Sequence, residues 1–336
     1  MPDLSQPAGW LPLAFMGLMG AALLAYVVLD GYDLGVGILM RRADAGQRDR
    51  MVASIGPFWD ANETWLVLGV GLLLVAFPKA HGVILGELYL PATLMLVGLV
   101  LRGVAFDFRT KAHAGHRPWW DRAFYAGSLL AAFAQGVMLG RYVTGFDDGL
   151  LAWGFAAFVG AAVVAGYALL GAGWLLMKTE GALQQRAAAW ARGSLRLTLA
   201  GIAAISIATP LVSQRIFDKW FSFPNLLFLA PVPLLTVLLA ALVWLALRHQ
   251  PRTDDRFCWV PFAGTTGIFV LAFLGLAYSM LPYLVVDRLT AWQAAASTEA
   301  LWVIFLGAVV VLPMIAAYSA WAYWIFRGKA RDLSYS

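Results

Sequence analysis

Trp10-Leu-Pro-Leu-Ala-Phe-Met-Gly-Leu-Met-Gly-Ala-Ala-Leu-Leu-Ala-Tyr-Val-Val-Leu-Asp-Gly-Tyr-Asp-Leu-Gly-Val-Gly-Ile-Leu39 carries no charge other than Asp30 and Asp33. A helix needs about 20 mostly apolar residues to cross a hydrocarbon core about 30 Å thick, so this stretch is long enough to span a bilayer. Eight more apolar runs follow, at 55–77, 82–106, 122–143, 150–177, 197–213, 224–248, 259–281 and 301–326. The 336 residues are 61% hydrophobic and 13% charged, outside the range of water-soluble domains. The fold expected is therefore all-α and polytopic, with about nine membrane helices in a single integral domain over 1–336. Trp10, Trp119, Trp120, Trp174, Trp220, Trp259, Trp302 and Trp324 fall near run ends, where an amphipathic ring sits at headgroup level.

The net charge of +5 does not mark a nucleic-acid surface, because the cations lie in small groups between apolar runs. Their distribution sets topology instead. Eighteen of the 24 Lys and Arg residues lie in the first, third, fifth and seventh connections and the tail, against five in the intervening connections. Cytoplasmic loops retain such an excess, which predicts the N-terminus outside and the C-terminus inside. The segment before Trp10 has no Lys or Arg, and the run after it is too long for a cleaved signal, so it is expected to stay as the first helix. The connection at Gln184–Trp190 has helical character and is expected along the cytoplasmic surface. One cysteine, Cys258, excludes an internal disulfide framework.

Ionisable groups inside a bilayer are costly, about 2.5–3.5 kcal/mol at mid-helix on insertion scales, so each requires a partner, water or a function. Asp30 and Asp33 share one helix face at i, i+3 spacing, and Asp60 and Glu63 repeat that spacing at the start of the second run. At 1.5 Å per residue, Asp33 and Asp60 lie roughly 8–9 Å inside the cytoplasmic ends of their helices. Together they read as an acidic mouth. Like charges with partial desolvation raise carboxyl pKa values, which suits proton uptake. The competing reading pairs these acids with Arg41, Arg42 or Arg102. Gly31 and Gly35 form a GxxxG face, read as close helix packing. Glu87 reads equally as a snorkelling carboxylate or a relay group. Arg102-Gly-Val-Ala-Phe-Asp-Phe-Arg-Thr-Lys111 mixes cations, an acid and aromatics that suit a quinone or lipid headgroup, with an Arg102–Asp107 ion pair as the plainer reading. His81, His113, His116 and His249 fall in connections or at run ends, so no buried pair is expected to clamp a haem, and no metal site is expected.

Val28-Leu-Asp-Gly-Tyr-Asp-Leu-Gly-Val-Gly37 followed by Pro57-Phe-Trp-Asp-Ala-Asn-Glu-Thr-Trp65 resembles the paired signatures of cytochrome bd oxidase subunit II, including the cyanide-insensitive branch. Arg102 to Lys111 looks like a third segment of that family, with Tyr32 standing where many members have Phe. The resemblance implies two pseudo-symmetric four-helix bundles plus one helix, in the bacterial inner membrane. It implies a larger partner, subunit I, holding haem b and haem d and oxidising quinol, and in some relatives a small single-helix accessory subunit and a bound ubiquinone. Asp33 and Asp60 would line the proton path at the subunit interface, with Asp30 and Glu63 as further members. Two rivals stand beside this reading. One is a stand-alone proton-coupled transporter, and the other is a purely structural assembly subunit whose intramembrane acids are silent.

Overall fold

The computed structural model describes residues 2–113, 115–251 and 255–330. Its elements are α1 (Pro7–Leu39), a 3-10 turn (Met40–Arg42), α2 (Ala45–Ile55), α3 (Trp59–Ala76), α4 (Pro78–Glu87), α5 (Tyr89–Lys111), α6 (Arg117–Val143) and α7 (Leu150–Lys178). There follow α8 (Gly181–Val212), α9 (Gln214–Phe221), α10 (Asn225–Leu229), α11 (Pro231–Arg248) and α12 (Val260–Met280). A short antiparallel pair, β1 (Tyr283–Val285) and β2 (Leu289–Thr290), precedes α13 (Ala291–Ala294) and α14 (Thr298–Ile325). Eight helical stretches among the described residues are long and apolar enough to cross a membrane, and α2 with α3 makes a ninth if that pair counts as one span. The all-α, polytopic fold expected from the nine apolar runs is what is found. Arg252 and Arg331, two of the charges counted for topology, lie outside the described residues.

Two runs differ in detail. The third, 82–106, is divided at Leu88 between α4 and α5. Pro91 explains the break: it has no N–H to give the Glu87 carbonyl, and its ring clashes with a helical carbonyl four residues back. The sixth is longer than its apolar part. Gln184–Trp190 is not a separate surface helix but the first turns of α8, a continuous 32-residue helix. Ala182, Ala187, Ala188, Ala189 and Ala191 are the strongest helix formers, and they outweigh Gly193, with no proline between them and the apolar run.

The chain divides into two compact units. The first takes the residues up to Asp30, Pro57–Glu87 and Met280–Gly328. Within it, Trp10 lies edge-on to Trp302 and Phe305 at ring separations of 5.7 and 5.3 Å, and Phe58 stacks on Tyr323 at 4.6 Å. Edge-on and offset stacks of this kind add about 0.5–1.5 kcal/mol each beyond their buried area. The outer face of α14, with Val303, Leu306, Val310 and Met314 exposed, offers a broad apolar surface suited to lipid.

Among the described residues, the second unit takes those of Gly31–Gly56 and Leu88–Ser279 together with Lys329 and Ala330. Here α5, α6, α7 and α8 pack against one another in chain order. Small residues set the approach. A β-carbon added at Gly98 would lie 2.7 Å from the Ala131 amide nitrogen, and one at Gly127 would lie 2.6 Å from the Gly98 carbonyl. The end of α1 meets α7 in the same way: a β-carbon at Gly31 would lie 2.8 Å from the Tyr167 ring, and one at Gly35 would overlap the Tyr167 carbonyl. The GxxxG face is a packing face, as read from its spacing.

Candidate functional site: carboxyl groups on α1 and α3

α1 continues unbroken through Gly31, Gly35 and Gly37 because α7 and α6 fill the space their missing side chains leave. Its rotation is fixed by Tyr32, which stacks on Trp174 at 4.1 Å and meets Phe262 edge-on at 5.7 Å. With that face settled, Asp30 and Asp33 are both carried inward, and each is wholly buried. Asp30 belongs to the first unit and Asp33 to the second.

In the first unit, Asp60 stands in the first turn of α3, where the helix dipole favours a carboxylate, and it is exposed. Its carbonyl accepts from Thr64 Oγ1 at 3.1 Å. Glu63, one turn on, is half-buried. Between them the buried Asn62 donates through Nδ2 to the Leu29 carbonyl at 3.2 Å and accepts from the Tyr323 hydroxyl at 2.9 Å. This one amide ties the start of α3 to α1, one residue before Asp30, and to α14. Asn62 and Tyr323 were not singled out by sequence. The signal available was an amide in an apolar run, set between the two acids already chosen.

Other expected residues fall elsewhere. Glu87 pairs with Arg288 at 2.7 Å within the first unit, and both ends are substantially exposed, so the pair contributes little stability. Arg102 is buried while Asp107 is exposed. Five residues at about 100° each set them roughly 140° apart around α5. The cation of that segment with the most extensive described pairing is Arg109. Its Nε lies 2.5 Å from Asp121 Oδ1 and its Nη2 lies 2.8 Å from Asp49 Oδ1, while Arg48 reaches Asp121 Oδ2 at 3.0 Å. This cluster, buried at Arg109 and Asp121 and open to solvent at Asp49, ties α2, α5 and α6 together. Removing one partner of a buried pair costs about 3–5 kcal/mol because it strands the other charge. Asp121→Ala is therefore expected to lower the thermal midpoint and yield of the purified complex, with the double variant Asp121→Ala/Arg109→Met, which removes the stranded cation too, less damaging. Equal losses in the two variants would contradict that account.

Near the chain's end, Lys329 Nζ lies 2.6 Å from Asp255 Oδ2 and donates to the Thr179 carbonyl at 3.0 Å. Burial pushes the Asp255 carboxyl up, but Lys329 and Gln184 outweigh it and hold the group below its ordinary value. A lowered carboxyl stabilises the fold above the unfolded value of about 3.9, and the contribution is lost as pH falls through the lower folded value. The clasp is thus complete at neutral pH.

His113, His116 and His249 are exposed and His81 is half-buried on α4, a donor set that does not fit a haem clamped between helices. Among the described residues no group of three or more His, Cys, Asp or Glu is placed to hold a metal ion.

A family model described as cytochrome bd terminal oxidase subunit II matches residues 11–326. The chain belongs to that family. Relatives of this subunit II include the cytochrome bd-I ubiquinol oxidase subunit 2 of Escherichia coli K12, 28% identical over 359 residues and covering 93% of each chain. The cytochrome bd ubiquinol oxidase subunit 2 of Bacillus subtilis 168 is 26% identical over 334 residues, covering 93% of this chain and 94% of the relative. The solved bd oxidase of Geobacillus thermodenitrificans shares the fold, with a TM-score of 0.72 at 21% identity over 94% of this chain and 99% of that one. As a subunit II, the chain is part of an oxidase complex with a subunit I, and that cytochrome complex carries haem.

Proposed function

We propose that this subunit II holds no haem itself, supports a subunit I that bears haem b and haem d, and carries protons from the cytoplasm toward the site of oxygen reduction in a quinol:oxygen oxidoreductase. The observation that supports the proton role is the complete burial of Asp30 and Asp33 on one face of α1. Carboxyls kept in a membrane interior, where ionisation is costly, mark proton relays more often than inert packing. Reduction of oxygen to water consumes protons, and that chemistry belongs to the partner's haem. The work of this chain is to hold and move the proton. Asp60, open at the start of α3, takes a proton onto a carboxylate oxygen, and the buried Asp33 holds one away from bulk water. Asp30 and Glu63 extend the acidic path, and Asn62 positions α3 beside Leu29. The same reading treats 1–336 as one integral domain of the bacterial inner membrane, N-terminus periplasmic and C-terminus cytoplasmic.

Asp60→Asn tests the entry step. Oxygen consumption with excess quinol is expected to fall about tenfold, which corresponds to about 1.4 kcal/mol on the limiting barrier, while haem per complex is unchanged. Full turnover in an assembled Asp60→Asn enzyme would remove that residue from the path.

A further inference from the structure

Two membrane spans, Gly181–Val212 and Asn225–Arg248, are joined by a connection that carries its own helix, α9 (Gln214–Phe221). Eight residues are too few to cross a bilayer, and their pattern is not that of a span. At about 100° per residue, Ile216, Trp220, Phe217 and Phe221 fall within an arc of about 140°, while Gln214, Asp218, Arg215 and Lys219 fill the opposite side. A helix divided so evenly between apolar and polar sides lies in the plane of a membrane surface rather than through it.

The apolar arc is itself shared between two surroundings. Ile216 is buried, and the Trp220 indole Nε1 donates to Ser279 Oγ at 2.7 Å in the last turn of α12. Lys219 Nζ lies 4.9 Å from the Tyr278 ring centre, and the Tyr278 hydroxyl donates to Asn225 Oδ1 at 2.9 Å. These contacts, all within the second unit, pin α9 to the end of α12. The rest of the arc faces outward. Phe217 and Phe221 are exposed with their rings 4.9 Å apart, and Phe223 just beyond them is 74% exposed. Gln214 and Asp218, also exposed, bond to each other at 2.9 Å. The helix therefore has one side against protein, one bare and aromatic, and one bare and polar.

What covers the aromatic side follows from its place in the chain. Leu211 and Val212, the last residues of the span before α9, are exposed, and so are Leu227 and Phe228 in the first turn of the span after it. The ends of two membrane spans thus hold α9 at the level of the headgroups, where amphipathic aromatic side chains concentrate. In water, three neighbouring phenyl rings would extend a bare apolar patch; among the upper acyl chains they are in their preferred surroundings.

We infer that α9 is an interfacial anchor lying in one leaflet of the bilayer, with Phe217, Phe221 and Phe223 among the lipid chains just below the headgroups and Gln214 and Asp218 in water. The inference rests on the flanking helices crossing the membrane and is independent of the proton path on α1 and α3. In the topology proposed above, the leaflet is the periplasmic one.

Spin labels on the intact oxidase complex in phosphatidylcholine vesicles test this. Phe217→Cys, Phe221→Cys and Asp218→Cys are each made in a Cys258→Ser background, and the signal of the labelled parent is subtracted. Relaxation of the nitroxide by oxygen, which concentrates in lipid, is compared with relaxation by a water-soluble nickel chelate. The oxygen-to-nickel ratio at 217 and 221 is expected to exceed that at 218 by about tenfold. Equal ratios at the three positions would overturn the inference. So would labels at 217 and 221 that neither reagent reaches, because a protein partner would then cover them. A second measurement needs no variant: phosphatidylcholine with a photoactivatable group high on its acyl chain should label residues 217–223 of the unmodified complex. Labelling confined to the spans on either side, with none at 217–223, would contradict the assignment.

Discussion

Asp33→Asn is expected to slow oxygen consumption by about 10- to 100-fold, equivalent to about 1.4–2.7 kcal/mol on the limiting barrier, with haem content per complex unchanged. Asparagine keeps the shape of the side chain and removes only its exchangeable acid proton. Asp33 is wholly buried, so water has little chance to substitute for it. Asp60 is exposed, and its loss is more readily bypassed, which is why the larger effect is assigned to Asp33. Asp33→Glu should restore part of the rate, because it returns the acid with one added methylene. A packing role alone predicts the opposite order, with the isosteric amide tolerated and the longer acid damaging.

Gly35→Leu is expected to reduce the yield of assembled complex by more than about tenfold. Even the first carbon of a side chain at Gly35 would overlap the Tyr167 carbonyl, so no rotamer relieves the clash and α1 must part from α7. Overpacking of flexible side chains costs about 1–3 kcal/mol, and a clash against backbone lies above that range. Gly71→Ala is the control. Nothing lies within 4 Å of its added β-carbon, and it should sit within about 0.5 kcal/mol of the unmodified protein. Similar yields from Gly35→Leu and Gly71→Ala would show that the α1–α7 crossing is not as close as the structure places it.

Hydropathy marked nearly every membrane helix, because burial in lipid depends on composition alone. It failed where helix continuity is decided by the backbone. The break at Leu88 follows from the missing N–H of Pro91, and the extension of α8 back to Gly181 follows from alanine-rich propensity in a stretch too polar to register as a run. The acids were visible in sequence because charge in an apolar run stands out. Their supports were not. Asn62 bonds to Tyr323, 261 residues away in the chain, and Arg109 pairs with Asp121 across the α5–α6 turn. Such partners are chosen by packing, and neither spacing nor residue type announces them. Conversely, Arg102 and Asp107 are close in sequence yet lie roughly 140° apart around α5, one buried and one exposed.

The central claim is that this chain works only as part of a haem-bearing oxidase. A reduced-minus-oxidised visible spectrum of material purified through a tag on this chain tests it most directly. Haem b and haem d bands accompanied by a larger copurifying subunit are the predicted result, whereas a colourless, monodisperse protein stable by itself would contradict the claim and favour a stand-alone transporter.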